Sequence, residues 1–254
     1  MGTEATSATQ EPKTGLQFIL IHGSWHHGGH WKQVQQVLEG RGHRVYAPTL
    51  LGNEPNSERI NYPLKEIVQL LQEDIVSRDL TDIVLAGHSS GGYIVQQLAQ
   101  LQPQRVQKVI FINAFVLQEG ENLLGFITEE PPTAENNYSF HRLAPFDWFR
   151  NEFANTVDEE TAKAIYASLV PQGGQPHSER QNLRTFFELP VSKAYIFLNK
   201  DPIFAGLGMQ NWHPQFSTRL GEYKLVEMGG DHEALLTNPT VLAEKLIEAS
   251  SDLN

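Results

Sequence analysis

Apolar residues along the chain alternate between two patterns. Short unbroken runs end in glycine or in a loop: "LQFILIHG" (16–23), "RVYAPTL" (44–50), "TDIVLAG" (81–87) and "VQKVIFINAF" (106–115). Runs of that length and density fit strands buried on both faces. Between them, apolar positions recur at helical spacing. Trp31, Val34, Val37 and Leu38 share one face of "HWKQVQQVLEGRGH" (30–43), which ends at Gly40 and Gly42. Leu64, Ile67, Val68, Leu71 and Ile75 do the same within 62–75, with Pro63 near the first turn. "GYIVQQLAQLQ" (92–102) is a third helix, stopped by Pro103. Strands alternating with helices predict a parallel sheet covered on both faces.

The rhythm breaks at residue 118. Residues 118–189 hold Pro131, Pro132, Pro145, Pro171 and Pro176 and no convincing buried strand. Two helical pieces stand out. One is the aromatic "FDWFRNEFAN" (146–155); the other is "DEETAKAIYASLV" (158–170), with Thr156 and Glu159 at capping-box spacing. Strand and helix alternation resumes with 193–199, 222–228 and a last helix over 240–250. The reading is an α/β core, 15–117 and 190–254, with a helical lid inserted at 118–189. A lid beside the carboxyl ends of parallel strands would cover a pocket. Residues 1–14 are small and polar and are expected to be disordered.

Composition narrows the partners. The chain has 254 residues, enough for one large α/β domain, and a net charge of −11. An acidic surface argues against nucleic acid and anionic membrane as main partners. There are no cysteines, which removes disulfides, thiolate metal sites and a Cys nucleophile. No run reaches membrane-spanning length and no signal peptide opens the chain, so a cytoplasmic location is the default. The start "MGTEAT" fits the short, permissive N-myristoylation pattern.

Candidate chemistry sits at the strand ends. "GHSSG" (87–91) matches G-x-S-x-G, follows a strand and opens a helix, the context that motif requires. A side chain at such a sharp turn is pushed out at the top of the sheet, and Gly87 and Gly91 leave room around it. That makes Ser89 the candidate nucleophile and the Ser90 amide a candidate oxyanion donor. A serine needs a base. His232, in "MGGDHEALLTNP" (228–239), follows the last strand, and Asp201, in "FLNKDP" (197–202), follows the strand before it. Asp231 and Glu233 are alternative partners for His232, although chain neighbours rarely fold back onto the ring.

"LIHGSWHHGGHW" (20–31) completes the set. Gly23 permits close approach, and the Ser24 amide is a second candidate oxyanion donor. His22, His26, His27 and His30 invite a metal reading. No acidic ligand is near them in sequence, so they are expected to line the pocket mouth or to satisfy backbone groups, with no metal and no cofactor. The candidate pocket residues are His22, Gly23, Trp25, His88 and Phe115 around the two turns, with Phe146, Trp148 and Phe149 from the lid. Phe140 and Phe153 are further lid aromatics.

From about residue 16 onward the chain resembles the α/β-hydrolase family. It is similar within it to the group of plant methylesterases, hydroxynitrile lyases and related bacterial esterases. The likeness rests on "FILIHGSWHHGGHWKQVQQVLEGRGHRVYAP", "VLAGHSSGGYIVQQLAQLQPQRVQKVIFINAFV", "AKAIYASLVPQ" and "GGDHEALLTNP". It implies the α/β-hydrolase fold, a triad of Ser89, Asp201 and His232, and an oxyanion hole from the Ser24 and Ser90 amides. It also implies hydrolysis of a small-to-medium apolar carboxylic ester by an enzyme that can be a homodimer. The departures matter too. Lyases of this group usually carry Thr after the opening His and Lys after the catalytic His; here Gly23 and Glu233 stand there. Cofactor-free dioxygenases on this fold tend to carry their acid after the strand following the elbow, where this chain has Asn113. Thr49 replaces an acidic residue frequent in the family. A lyase, a dioxygenase, or a ligand-binding receptor with residual hydrolysis are the competing readings.

Overall fold

The central strands are rich in apolar residues because most of their positions are buried on both faces. A computed structural model describes residues 15–58, 61–127, 143–204 and 210–251. Its strands are β1 (Gln17–Ile21), β2 (Arg44–Tyr46), β3 (Ile83–His88), β4 (Val106–Ile112), β5 (Ser192–Leu198) and β6 (Lys224–Met228). They pair in the order β2-β1-β3-β4-β5-β6, all parallel. This is the parallel sheet that the resemblance implies, with every strand's carboxyl end on one edge. The predicted 1–14 segment, its myristoylation pattern and Phe140 lie outside the described residues.

Alternation along the strands feeds two cores. Phe18, Leu20, Val84, Ala86, Ile110, Ile112, Ala194 and Ile196 point to one face. There they meet Trp31, Val34 and Leu38 of and beside α1 (Lys32–Gly40), and Leu242, Leu246 and Ala249 of α10 (Pro239–Ser250). Ile19, Ile21, Leu85, Val109, Phe111 and Tyr195 point the other way. They meet α2 (Leu64–Ser77) and α3 (Gly91–Leu101) through Leu64, Ile67, Val68, Leu71, Ile75, Tyr93, Ile94, Val95 and Leu98.

Between β4 and β5 the described residues form no strand. They form α4 (Leu124–Ile127), α5 (Phe146–Glu152), α6 (Glu159–Ser168), α7 (Gln175–Ser178) and one short 3-10 turn. Phe149, Phe153, Ile165 and Leu169 join the α2–α3 core. Two further short α-helices among the described residues are α8 (Trp212–Gln215) and α9 (Ala234–Thr237). No helix among the described residues is long and apolar enough to cross a membrane.

Two local expectations are corrected. The second strand covers 44–46 and not 44–50, because Pro48 has no N–H for the ladder and the chain turns under the sheet edge. There the Leu50 amide donates to His22 Nε2 at 3.0 Å and Thr49 Oγ1 accepts from the Gly28 amide at 3.0 Å. The N-cap of α6 is Asp158, whose carboxylate accepts from the Thr161 amide at 2.7 Å. Thr156 faces the other way and its hydroxyl donates to Asp231 Oδ2 at 2.6 Å, tying the start of that helix to the loop after β6.

The tightest joint in this frame is between α3 and the chain leaving β4. A Cβ built on Gly92 would lie 2.2 Å from the Phe115 carbonyl oxygen and 3.0 Å from the Ala114 Cβ. Backbone on both sides cannot yield without moving α3 off the sheet. Gly92→Ala is expected to lower the unfolding free energy by about 1–3 kcal/mol, read from urea midpoints.

Candidate active site

β3 ends at His88 and α3 begins at Gly91, so two residues make the whole turn. Ser89 carries it with φ of +53°, in the left-handed region. For a non-glycine residue that costs about 1–3 kcal/mol and persists only where surroundings hold it. Here the Ser89 amide donates to the Ile112 carbonyl at 3.2 Å, and its own carbonyl accepts from the Gly92 and Phe115 amides, both at 3.1 Å. A Cβ on Gly91 would lie 2.8 Å from the Ile21 and His22 carbonyl oxygens, and one on Gly23 would lie 2.7 Å from the Ser89 Cβ. The predicted need for small residues at the turn is thus a need for backbone to pack on backbone.

The acid and base arrive from the next strands along the edge. Asp201 follows β5 and His232 follows β6, and His232 Nδ1 donates to Asp201 Oδ2 at 2.6 Å with both side chains buried. That bond fixes the imidazole tautomer with its hydrogen on Nδ1 and leaves Nε2 as the basic atom. Asp201 is itself held: Oδ2 also accepts from Asn113 Nδ2 at 2.8 Å, and Oδ1 from the Ile203 amide at 3.1 Å. Asn113, at the end of β4, closes the arrangement by accepting from the Leu198 amide at 2.9 Å and donating to the Leu198 carbonyl at 3.1 Å. Asp231 and Glu233 do not reach the His232 ring. Asp231 accepts from Thr156 and Thr237, and Glu233 pairs with His26.

Ser24 and Ser90 face each other across the turn, the Ser24 hydroxyl donating to the Ser90 hydroxyl at 3.0 Å. Among the described residues, neither backbone amide donates to a protein acceptor. Two unused N–H groups therefore flank Ser89, one of them at the amino end of α3.

Aromatic rings enclose the histidine. Trp212 stacks on the His232 ring at 5.5 Å with an interplanar angle of 17°, and Phe153 meets it edge-on at 4.7 Å. Phe115 and Phe204 pack on Trp212 at 5.0 and 4.6 Å, and Trp25 packs on Phe153 at 5.8 Å. Trp212 and Phe204 were not singled out from the sequence; they lie in a connection with no periodicity to mark them. Phe149 is buried behind Phe153, while Phe146 packs on Tyr166. Trp148 is 42% exposed and touches Phe153, so it stands outside the ring of side chains around His232.

The histidines of the first loop serve the backbone. His22 Nδ1 donates to the Gly23 carbonyl at 2.9 Å while Nε2 accepts from Leu50, so the ring is neutral and does not line a pocket mouth. Burial pulls its pKa down to about 3. His30 accepts from the His27 amide at 3.3 Å and donates to Ser168 at 3.1 Å, and burial lowers it to about 2. His27 caps the short turn that follows it. His88 is buried beneath the site, 4.6 Å from the His232 ring, and burial holds it well below its usual value.

His26 is the opposite case. Its Nδ1 faces the Ser24 carbonyl oxygen at 2.7 Å and its Nε2 faces Glu233 Oε2 at 2.7 Å. Both partners only accept, so the ring is an imidazolium. Burial opposes that charge, but the charge and hydrogen bond of Glu233 outweigh it and raise the pKa. Among the described residues no group of three or more His, Cys, Asp or Glu side chains is placed to hold a metal ion.

These states set an acid sensitivity. His22, His30, His88 and the buried His177, also lowered to about 3, stay neutral in the fold but take a proton near 6.5 when unfolded. Stability is therefore present above about pH 6.5 and is lost as pH falls toward 3, by about 1.4 kcal/mol per pH unit for each group. His26, with its raised value, contributes fully below about 6.5 and loses that on the alkaline side. The net expectation is a steep fall in urea midpoint from about pH 6.5 to about pH 4; a flat profile there would contradict the neutral assignments.

Comparison with known proteins gives the family. The model of the alpha/beta hydrolase family matches residues 18–245. A carbendazim hydrolyzing esterase from Nocardioides is 28% identical over 50% of this chain and 54% of its own length, so the chain matches about half of that relative. A pyrethroid hydrolase from Sphingobium wenxiniae is 26% identical over 92% of this chain and 88% of its own. An extracellular alpha/beta-hydrolase structure from a Paenibacillus species is described as sharing structural and functional homology with tobacco salicylic acid binding protein 2. It is 30% identical with a TM-score of 0.81, covering 93% of this chain and 100% of that one. A strained serine between strand and helix, a buried acid–histidine pair two and three strands along, and these matches have one reading: the chain belongs to the alpha/beta hydrolase family.

Proposed function

We propose that the chain is a serine hydrolase that cleaves an apolar carboxylic ester through an acyl-enzyme. The observation that carries this is Ser89, held at φ +53° between two uncommitted amides, with the Asp201–His232 pair on the same sheet edge. In this reading the Ser89 oxygen attacks the ester carbonyl carbon as His232 Nε2 takes its proton. The carbonyl oxygen becomes an anion that the Ser24 and Ser90 amides hold. Asp201 keeps the ring oriented and stabilises the imidazolium. The tetrahedral species collapses, the C–O bond to the alcohol breaks, and His232 returns the proton to the departing alcohol. Water then repeats the sequence on the acyl-serine, releasing the acid and restoring Ser89.

The aromatic wall of Trp25, Phe115, Phe153 and Trp212 supports an apolar substrate. The names of the relatives, one hydrolysing carbendazim and one pyrethroids, support hydrolysis as the reaction class. The helical segment between β4 and β5 contributes Phe153 to that wall and in this reading is the lid. Cyanohydrin cleavage is disfavoured. It needs a cation beside the histidine to hold the departing cyanide, and the buried cation near this site, His26, is already paired with Glu233.

Ser89→Ala is expected to lower ester turnover by on the order of 10⁴-fold or more, while Ser90→Ala, which keeps its amide, changes it modestly. Mass spectrometry after fluorophosphonate treatment is expected to place the adduct on Ser89. An adduct on Ser90, or none on the folded chain, counts against the assignment. Mandelonitrile is expected to release no cyanide above the uncatalysed rate; release that vanishes in Ser89→Ala would move the chain to the lyase reading.

A further inference from the structure

The loop carrying Ser24 is held by residues distant in sequence, and the peptide joining Ser24 to Trp25 is gripped at both ends. Its carbonyl accepts from His26 Nδ1 at 2.7 Å, and Glu233 holds the far side of that ring. Its N–H, belonging to Trp25, donates to Gln172 Oε1 at 2.9 Å. Trp25 has φ of +64°, a conformation a large side chain adopts only under constraint. The preceding peptide is fixed as well: the Gly23 carbonyl accepts from His22 Nδ1 at 2.9 Å and from the His26 amide at 3.4 Å. Carbonyl and N–H point opposite ways within the plane of a trans peptide, so these bonds leave the Ser24 N–H directed away from the groups that hold the Gly23 carbonyl.

Gln172 is as firmly placed as the peptide it grips. Its Oε1 also accepts from Asn53 Nδ2 at 3.3 Å, and its Nε2 donates to His177 Nε2 at 2.8 Å. With that nitrogen an acceptor, His177 carries its hydrogen on Nδ1 and donates it to Tyr93 Oη at 2.8 Å, on α3. Gln172, His177 and Tyr93 are all buried. Close by, the Val170 amide donates to the Trp25 carbonyl at 2.8 Å.

The geometry points to Gln172 as a positioning residue for the oxyanion hole: by holding the Trp25 N–H it keeps the left-handed turn that presents the Ser24 amide. It touches no reacting atom. Because it belongs to the segment between β4 and β5, the seating of residues 170–177 becomes a condition for an assembled hole. The inference rests on the proposed role of the Ser24 amide.

The test uses the full chain, a p-nitrophenyl ester, and fluorophosphonate labelling of Ser89. Gln172→Met keeps the length and removes the acceptor. It is expected to lower kcat roughly 10- to 100-fold with KM within about twofold, the signature of lost transition-state stabilisation. Gln172→Glu still accepts from Trp25 and can pair with a protonated His177, so it is expected to recover most of the loss. A purely structural role would move Tm and KM and would treat the two variants alike. If Gln172→Met is recovered unfolded, Gln172→Ala, which adds no bulk, is read for the same kcat loss. Wild-type kcat in the acceptor-free variant, or equal impairment in Met and Glu variants, overturns the assignment. Failure of the wild-type chain to label at Ser89 removes the proposed function and this inference together; normal wild-type turnover with unchanged variants removes this inference alone.

Discussion

The backbone of Ser89 is the constraint around which the rest is arranged. A left-handed serine is tolerable only if its amide and carbonyl are both engaged, and the engaging groups come from three directions: Ile112 on β4, Gly92 on α3 and Phe115 beyond β4. Each of those needs its own close approach. α3 must start within two residues of β3, so its first turn packs against the Ile21 and His22 carbonyls with no room for a side chain at Gly91. Strand order does the remainder, since parallel strands deliver the Asn113, Asp201 and His232 loops to the same edge.

Among rings that are equally buried, charge is distributed by the partners each one meets. His22, His26 and His177 are all buried, yet only His26 is an imidazolium, because only its two nitrogens both face acceptors. His22 receives one hydrogen bond and gives one, and His177 receives one from Gln172 at Nε2 while its Nδ1 meets Tyr93, arrangements that a neutral ring satisfies. One oxygen of Glu233, Oε1, has no hydrogen-bond partner among the described residues. Leaving a buried polar oxygen without a partner is costly, and the hydrogen bond from His26 to Oε2 is what offsets it.

Much of this was legible because it follows from local pattern. Ser89, Asp201 and His232 each stand just past an apolar run, so strand prediction alone places them on one edge. The breakdown of periodicity after residue 117 marked the helical segment. What was not legible depends on pairs with no pattern between them. Gln172 and Trp25 belong to different parts of the chain, and nothing about a glutamine after a proline announces a partner. Asn113 reads as a missing acid, and its grip on Asp201 appears only when β4 and β5 lie side by side. Thr156 and Asp158 both suit a helix start; tertiary contact with Asp231 draws Thr156 away and leaves Asp158 the cap. Trp212 and Phe204 became visible as walls only once the loops after β5 were placed.

The His26–Glu233 pair also bears on how this chain could change its chemistry over evolutionary time. By the resemblance drawn from the sequence, lyases of the group usually carry lysine at the position of Glu233. Exchanging that one residue would leave His26 facing a second base in a buried site, so neither could stay charged cheaply. The step would loosen the carbonyl side of the Ser24–Trp25 peptide at the same moment. Placing a cation at position 233 would therefore require His26 to change as well. The pair thus couples the residue after His232 to the loop that carries Ser24, so that neither position can change alone.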